Sequence, residues 1–160
     1  MAADVFLKLG DIKGESSDDK HKGEIDVLAW SWGVSNAASM ATGGGGGLGK
    51  ASFHDLTITH YIDKASPNLL KMCATGEHIK EATLTQRKQG KGQQEFLVIK
   101  LSDVMVSSVS PGGSEAGTAP LESVSLAFAK VALEYKAQKP DGSLDAGIHF
   151  KYDIKAQKEG

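Results

Sequence analysis

Cysteine and arginine are almost missing from this chain of 160 residues. The one cysteine, Cys73, can close no disulfide within the chain and excludes a cysteine-rich zinc site, a usage that suits the cytoplasm. On its own it reads as a small buried hydrophobe. Arg87 is the only arginine, and the formal net charge is -2, so no basic excess faces a phosphate backbone and nucleic acid is excluded as the main partner. No apolar run approaches the roughly 20 residues of a membrane span, and MAADVFLKLGDIKGE lacks the basic region and long apolar core of a secretory signal. The chain is expected to be cytoplasmic, without a membrane partner, and any export uses a route that reads no signal peptide.

Catalytic patterns are missing as well. No G-x-S-x-G elbow occurs, and Ser114 in GGSE has no recognisable partner. His54 and His60 share one strand parity but lie roughly 20 Å apart along it, too far to grip one ion. His21, His78 and His149 sit in separate segments, and the histidines read as surface or partner-contact residues. The adjacent His54 and Asp55 point to opposite faces of a strand, which separates a base from its orienter. The Asp18-Asp19 pair lies in a polar loop where hydration keeps carboxyl pKa values ordinary. No enzyme, cofactor or metal is expected.

Glycine is abundant, with 19 residues. The tract ATGGGGGLGKAS nearly meets the P-loop spacing through Gly44, Gly49 and Lys50, but Ala51 stands where a Ser or Thr hydroxyl would hold magnesium. A phosphate cradle also needs a helix directly after it. ASFHDLTITHY follows instead, alternating Leu56, Ile58 and Ile62 with Thr57, Thr59 and Tyr61, which is a strand. The tract therefore reads as a flexible connection.

Period-two alternation dominates the rest and predicts a mainly β chain of seven to ten short strands, folded as one domain over 1–160. VFLKL, HDLTITHYI, ATLTQR, QEFLVIKL, VMVSSV and IHFKYDI all qualify. SVSLAF alternates through Val124, Leu126 and Phe128, whereas VALEY resumes through Val131, Leu133 and Tyr135 with opposite parity, so a bulge or bend is expected near Ala129-Lys130. One short helix is expected, capped by Ser66, opened by Pro67, with an apolar stripe of Leu69, Leu70 and Cys73 and a stop at Gly76.

LAWSWGVS has two unlike faces. Leu28, Trp30, Trp32 and Val34 are bulky and of one parity, whereas Ala29, Ser31, Gly33 and Ser35 are small. Trp30 and Trp32 are assigned to the core, and the small face can meet another surface closely or line a smooth wall.

The long segments GDIKGES, GEIDVLAWSWGVS, GGGGGLGKASFHDLTITHYIDKASPNLLKMCATG, VMVSSVSPGGS and ESVSLAFAKVALEY give the chain its identity at family level. It resembles, over nearly its whole length, the haemolysin-coregulated protein family, the tube-forming proteins of bacterial type VI secretion. The resemblance implies a two-sheet antiparallel β-barrel with one short flanking helix, assembled as a homohexameric ring that stacks into a tube. Its implied partners are further copies of itself, a spike tip protein, sheath and baseplate components, and small effector proteins held in the ring. The protein is then cytoplasmic first and secreted afterwards. By carry-over, Ala29, Ser31 and Gly33 face the lumen and contact effectors, and Thr42, Gly43, Gly44, Gly45, Gly46, Gly47, Leu48, Gly49 and Lys50 form a ring-stacking loop. The alternatives are a non-secreted ring-shaped binding module or chaperone and, more distantly, a hydrolytic enzyme.

Overall fold

A computed structural model describes residues 3–37, 50–90 and 92–160 of the chain. Eleven strands and one helix are present among them, in the order β1 Ala3–Leu9, β2 Ile25–Asp26, β3 Ala29–Ser31, β4 Val34–Asn36, β5 Ala51–Phe53, β6 Leu56–Tyr61, α1 Ser66–Thr75, β7 His78–Lys88, β8 Glu95–Gly112, β9 Leu121–Gln138, β10 Leu144–Asp153 and β11 Lys158–Glu159. Nine strands form one antiparallel sheet, and β4 pairs with β5 in a second. The architecture is the expected one: mostly β, two antiparallel sheets and a single helix.

The spine is longer than the sequence suggests. QEFLVIKL and VMVSSV join into the 18 residues of β8, and SVSLAF and VALEY into the 18 residues of β9. These two strands pair from Leu97↔Tyr135 to Gly112↔Leu121. The other edge of β9 is shared, first by β6 from Leu121 to Leu126 and then by β10 from Lys130 to Gln138. The sheet therefore forks along β9, and β2 comes to lie against β6.

The parity shift anticipated near Ala129-Lys130 is a bend. The β8–β9 register is the same on either side, through Ser102↔Lys130 and Val104↔Phe128, so neither strand carries an extra residue relative to the other. Three strands change their inward face together along the row Lys80, Asp103 and Ala129. Ile79 and Ala82, Leu101 and Val104, and Phe128 and Val131 all reach one core across it. Asp103 has φ 54°, a left-handed conformation that lets its strand turn there. The register slip in β8 falls instead between Val106 and Ser108.

Helix α1 departs from expectation at its start. Ala65, not Ser66, is the N-cap. The buried Ser66 Oγ accepts a hydrogen bond from the Asp63 N–H at 3.1 Å, and Asp63 Oδ1 accepts from the Ala65 N–H at 2.9 Å. Pro67 does fall in the first turn, and Gly76 ends the helix at φ 67° with its N–H on the Met72 carbonyl. Leu69 is buried and Met72 and Cys73 pack against the core, whereas Leu70 is exposed. The inward stripe is thus set by positions 69, 72 and 73.

Leu126 is fully buried where β6, β8 and β9 meet. Leu126→Ala is expected to lower unfolding free energy by about 2–5 kcal/mol, and Leu70→Ala by less than about 0.5 kcal/mol. Urea titration of both variants measures the contrast; equal losses would place the core elsewhere.

Candidate assembly and cargo surface

The upper limb of the fork is a four-stranded segment ordered β3, β6, β9, β8. Its inward rows are Leu56–Leu126–Val106 and Trp30–Ile58–Val124–Val109. Side chains alternate across a strand, so the rows between them face outward. One outward row is Ser31–Thr57–Ser125–Ser108 and the other is Ala29–Thr59–Ser123–Ser110. Seven hydroxyls and one methyl thus form a face without charge. Thr57 Oγ1 and Ser125 Oγ are 3.0 Å apart, so some of these hydroxyls satisfy one another.

Ala29 and Ser31 are exposed on this face. Gly33 is not with them: LAWSWGVS breaks after Ser31, and Gly33 sits in the crossing to β4 with its carbonyl accepting from the His54 N–H. Trp30 and Trp32 are half-buried and pack against the core. Trp30 Nε1 donates to Gln86 Oε1 at 2.9 Å, and Trp32 lies among Phe53 and Phe128. Residues Thr42 to Gly49 of the expected stacking loop lie outside the described residues; Lys50 at its end is exposed.

Neither margin of this segment carries a further strand among the described residues, although α1 packs against β8. Among the described residues β3 pairs only with β6, and beyond Met105, the last partner of β7, β8 pairs only with β9. Pro111, which has no N–H to donate, sits in that open part of β8. Two apolar patches are also exposed, and they are unlike. One sets Tyr61 opposite Leu121 at the end of the β6–β9 ladder; the other sets Ile148, 69% exposed, opposite Tyr135 on β9 and β10.

The histidines differ from the sequence expectation. His60 is fully buried with Glu122, Nε2 lying 2.9 Å from Oε1. His21 is buried between Glu24 and Glu95. His78 meets Asp103, and His149 meets Glu134. Glu24 is three residues from His21 along the chain, but Glu95, Glu122, Asp103 and Glu134 come from distant segments, which is why spacing along the chain did not show them. His54 and Asp55 lie not within a strand, as expected, but in the break between β5 and β6; His54 Nε2 is 3.4 Å from Ser35 Oγ, while Asp55 accepts from Ser107 Oγ. No group of three or more His, Cys, Asp or Glu among the described residues converges as a metal site would.

Arg87 and Asp18 also escaped the sequence reading. Arg87 is 2% exposed on β7, opposite Asp4 on β1, and its guanidinium donates to both Asp4 and Asp18. The hydrogen bonds from Arg87 hold the Asp18 carboxyl down to about 2, so it is not an ordinary loop carboxylate.

A β fork with two margins that carry no further strand among the described residues, an uncharged outward face and buried ion pairs is the architecture of a structural building block. The comparisons with known proteins say which. Residues 6–135 match the family model of the type VI secretion system effector, Hcp, and the chain belongs to that family. It is a tube protein of the type VI secretion system. It is 53% identical over 157 residues to Protein hcp1 of Pseudomonas aeruginosa, covering 97% of both chains. The crystal structure of Hcp1 from Salmonella typhimurium matches at TM-score 0.82 and 45% identity over 99% of each chain. A structure described as a type six secretion system protein matches at TM-score 0.94 and 31% identity, over 99% of this chain and 100% of that one. Family members are secreted, and no helix among the described residues is long and apolar enough to cross a membrane.

Asp18 ties stability to acid. Its folded carboxyl titrates at about 2, below the about 3.9 of an unfolded aspartate. The stabilisation is therefore complete above the unfolded value and is lost as pH falls toward the folded one. Asp18→Asn is expected to have a lower urea midpoint at neutral pH, with the gap to the parent closing between about pH 4 and pH 2. A gap that stays constant over that range would remove Asp18 from the acid response.

Proposed function

We propose that the whole chain, 1–160, acts as one ring-forming domain: six copies close edge to edge, rings stack into a tube, and effector proteins travel against its inner wall. The two open edges of the β3–β6–β9–β8 segment carry this reading. An edge strand exposes unpaired N–H and C=O groups, and pairing β3 of one copy with the outer part of β8 in the next satisfies both. Such a contact is heterologous, and a rotation that closes it makes a ring. The two unlike apolar patches fit the same head-to-side arrangement. Six is the ring size that the family resemblance implies.

The hydroxyl face then lines the lumen. With no charge or bulky side chain it holds no cargo tightly, which suits a wall that carries folded proteins and lets them go. Ala29, Ser31, Thr57, Thr59, Ser108, Ser110, Ser123 and Ser125 are the proposed contacts. Gly33 stands aside from them. The Thr42–Lys50 loop is the proposed contact between rings, with Lys50 meeting an acidic neighbour. The spike tip, sheath and baseplate are the proposed machine partners, export proceeds without a signal peptide, and the subunit performs no catalysis of its own.

Ser31→Tyr is expected to leave ring mass unchanged and to lower the steady-state level of a co-expressed effector several-fold; an unchanged effector level would sink the lumen assignment. In a background with Cys73→Ser, paired cysteines at Ser31 and at Ser108 or Ser110 are expected to give oxidised bands up to six times the 16.8 kDa subunit. Cysteines in the Thr42–Lys50 loop and at the opposite ring end extend the ladder beyond six when rings stack. A monomer mass by light scattering, with no ladder from either edge pair, overturns the ring.

A further inference from the structure

The segment from Gly14 to Glu24 doubles back on itself and lies against the barrel just before β2 and β3. Gly14 N–H donates to the Gly23 carbonyl at 2.8 Å, Gly23 N–H to the Ser16 carbonyl at 2.9 Å and Ser16 N–H to the Glu24 carbonyl at 3.0 Å. The two arms are so close that a Cβ at Gly14 would stand 2.6 Å from the Glu24 carbonyl oxygen. Two side chains fasten this hairpin down. Arg87 binds Asp18 from below, while His21 reaches out of the hairpin to the sheet.

The His21 ring is placed for two donated hydrogen bonds. Nδ1 lies 2.9 Å from Glu24 Oε2 and Nε2 lies 2.7 Å from Glu95 Oε1 on β8. The ring is stacked on Phe6 of β1 at 4.4 Å, and the Arg87 guanidinium lies 4.8 Å from the same phenyl ring. The charged groups around it are Glu24, Asp18, Asp19, Lys20 and Lys22 from the hairpin, Asp4 from β1, Asp26 from β2, Arg87 from β7 and Glu95 from β8. Only an imidazole with both protons can donate to both carboxylates; a neutral ring turns a lone pair toward one of them. Arg87 cannot lose its proton in the accessible range.

We propose that the Gly14–Glu24 hairpin is a proton-gated strap, held shut by doubly protonated His21 between Glu24 and Glu95, whose opening slackens β2 and the β3 edge beyond it. The effect on β3 rests on the ring-edge reading above. The sign follows from the donors. Closure needs the imidazole doubly protonated and both carboxylates ionised, and is lost where the imidazole gives up its second proton.

Hydrogen exchange read by mass spectrometry on peptides spanning 14–24, corrected for the intrinsic pH dependence of exchange, tests this on the assembled protein. Protection is expected to fall about ten-fold or more from pH 6 to pH 8, the worth of one charge-assisted hydrogen bond, while β8–β9 peptides hold theirs. Glu95→Gln lets a side-chain amide donate to the neutral ring and is expected to stay protected at both values. Equal protection of the parent at the two pH values, or a Glu95→Gln variant that keeps the full fall, overturns the strap. Light scattering at the same pH values separates the two readings. Looser rings at pH 8 support the link to β3, and strap opening without any change in ring stability overturns that link. Absence of rings at both values counts against the ring reading alone, with the exchange result deciding the strap.

Discussion

The ladder between β8 and β9 is the constraint from which the rest of the molecule follows. Each strand has 18 residues, and a strand can offer only two edges for hydrogen bonding. One edge of β9 is taken by β8 over almost its whole length; the other is divided between β6 and β10. That division creates the fork. It also leaves the last part of β8, beyond Met105, past the end of β7 with no further strand beside it among the described residues, and puts β3 at the opposite margin of the same limb. A sheet that forks in this way needs further strands to complete its hydrogen bonding, and further copies of the chain are what the proposed ring supplies.

The bend along Lys80, Asp103 and Ala129 lets one apolar core serve both limbs. If the three strands ran straight, residues of one parity would face inward throughout, and Val131 and Leu101 would turn away from the core that Leu126 and Val104 occupy. Because all three strands turn at the same row, the register survives and the inward set changes parity. The same alternation produces the hydroxyl face. Every inward Val, Leu or Ile on the upper limb has Ser or Thr neighbours pointing outward, so core and candidate lumen are two sides of one pattern.

Buried charge fastens the loops to this frame. Arg87 holds the Gly14–Glu24 hairpin through Asp18 and β1 through Asp4, and His21 adds a second fastening to Glu24 and Glu95. His60 and Glu122 sit opposite one another on β6 and β9, wholly buried near the apolar patch of Tyr61 and Leu121. Burying such groups is unfavourable without a partner, and each of these has one.

The β class, the single helix with Pro67 at its start and Gly76 at its end, and the packing side of Trp30 were legible in the chain, because alternation, φ preference and missing N–H groups act on neighbours in sequence; the single strand expected after the glycine tract is instead split into β5 and β6, in different sheets. The outward pairs Thr57 and Thr59, Ser108 and Ser110, and Ser123 and Ser125 carried the same period-two signal, but nothing local says that they lie side by side. Joining short apolar runs into 18-residue strands, exposing Leu70, burying His60 and His21, and pulling the Asp18 carboxyl down all depend on groups tens of residues away. Strand register decides those meetings, and register is set by how distant segments share the edges of β8 and β9. Local chemistry thus determined which elements form and which face of each is apolar; only the tertiary structure decided which edges stay open and which charges meet.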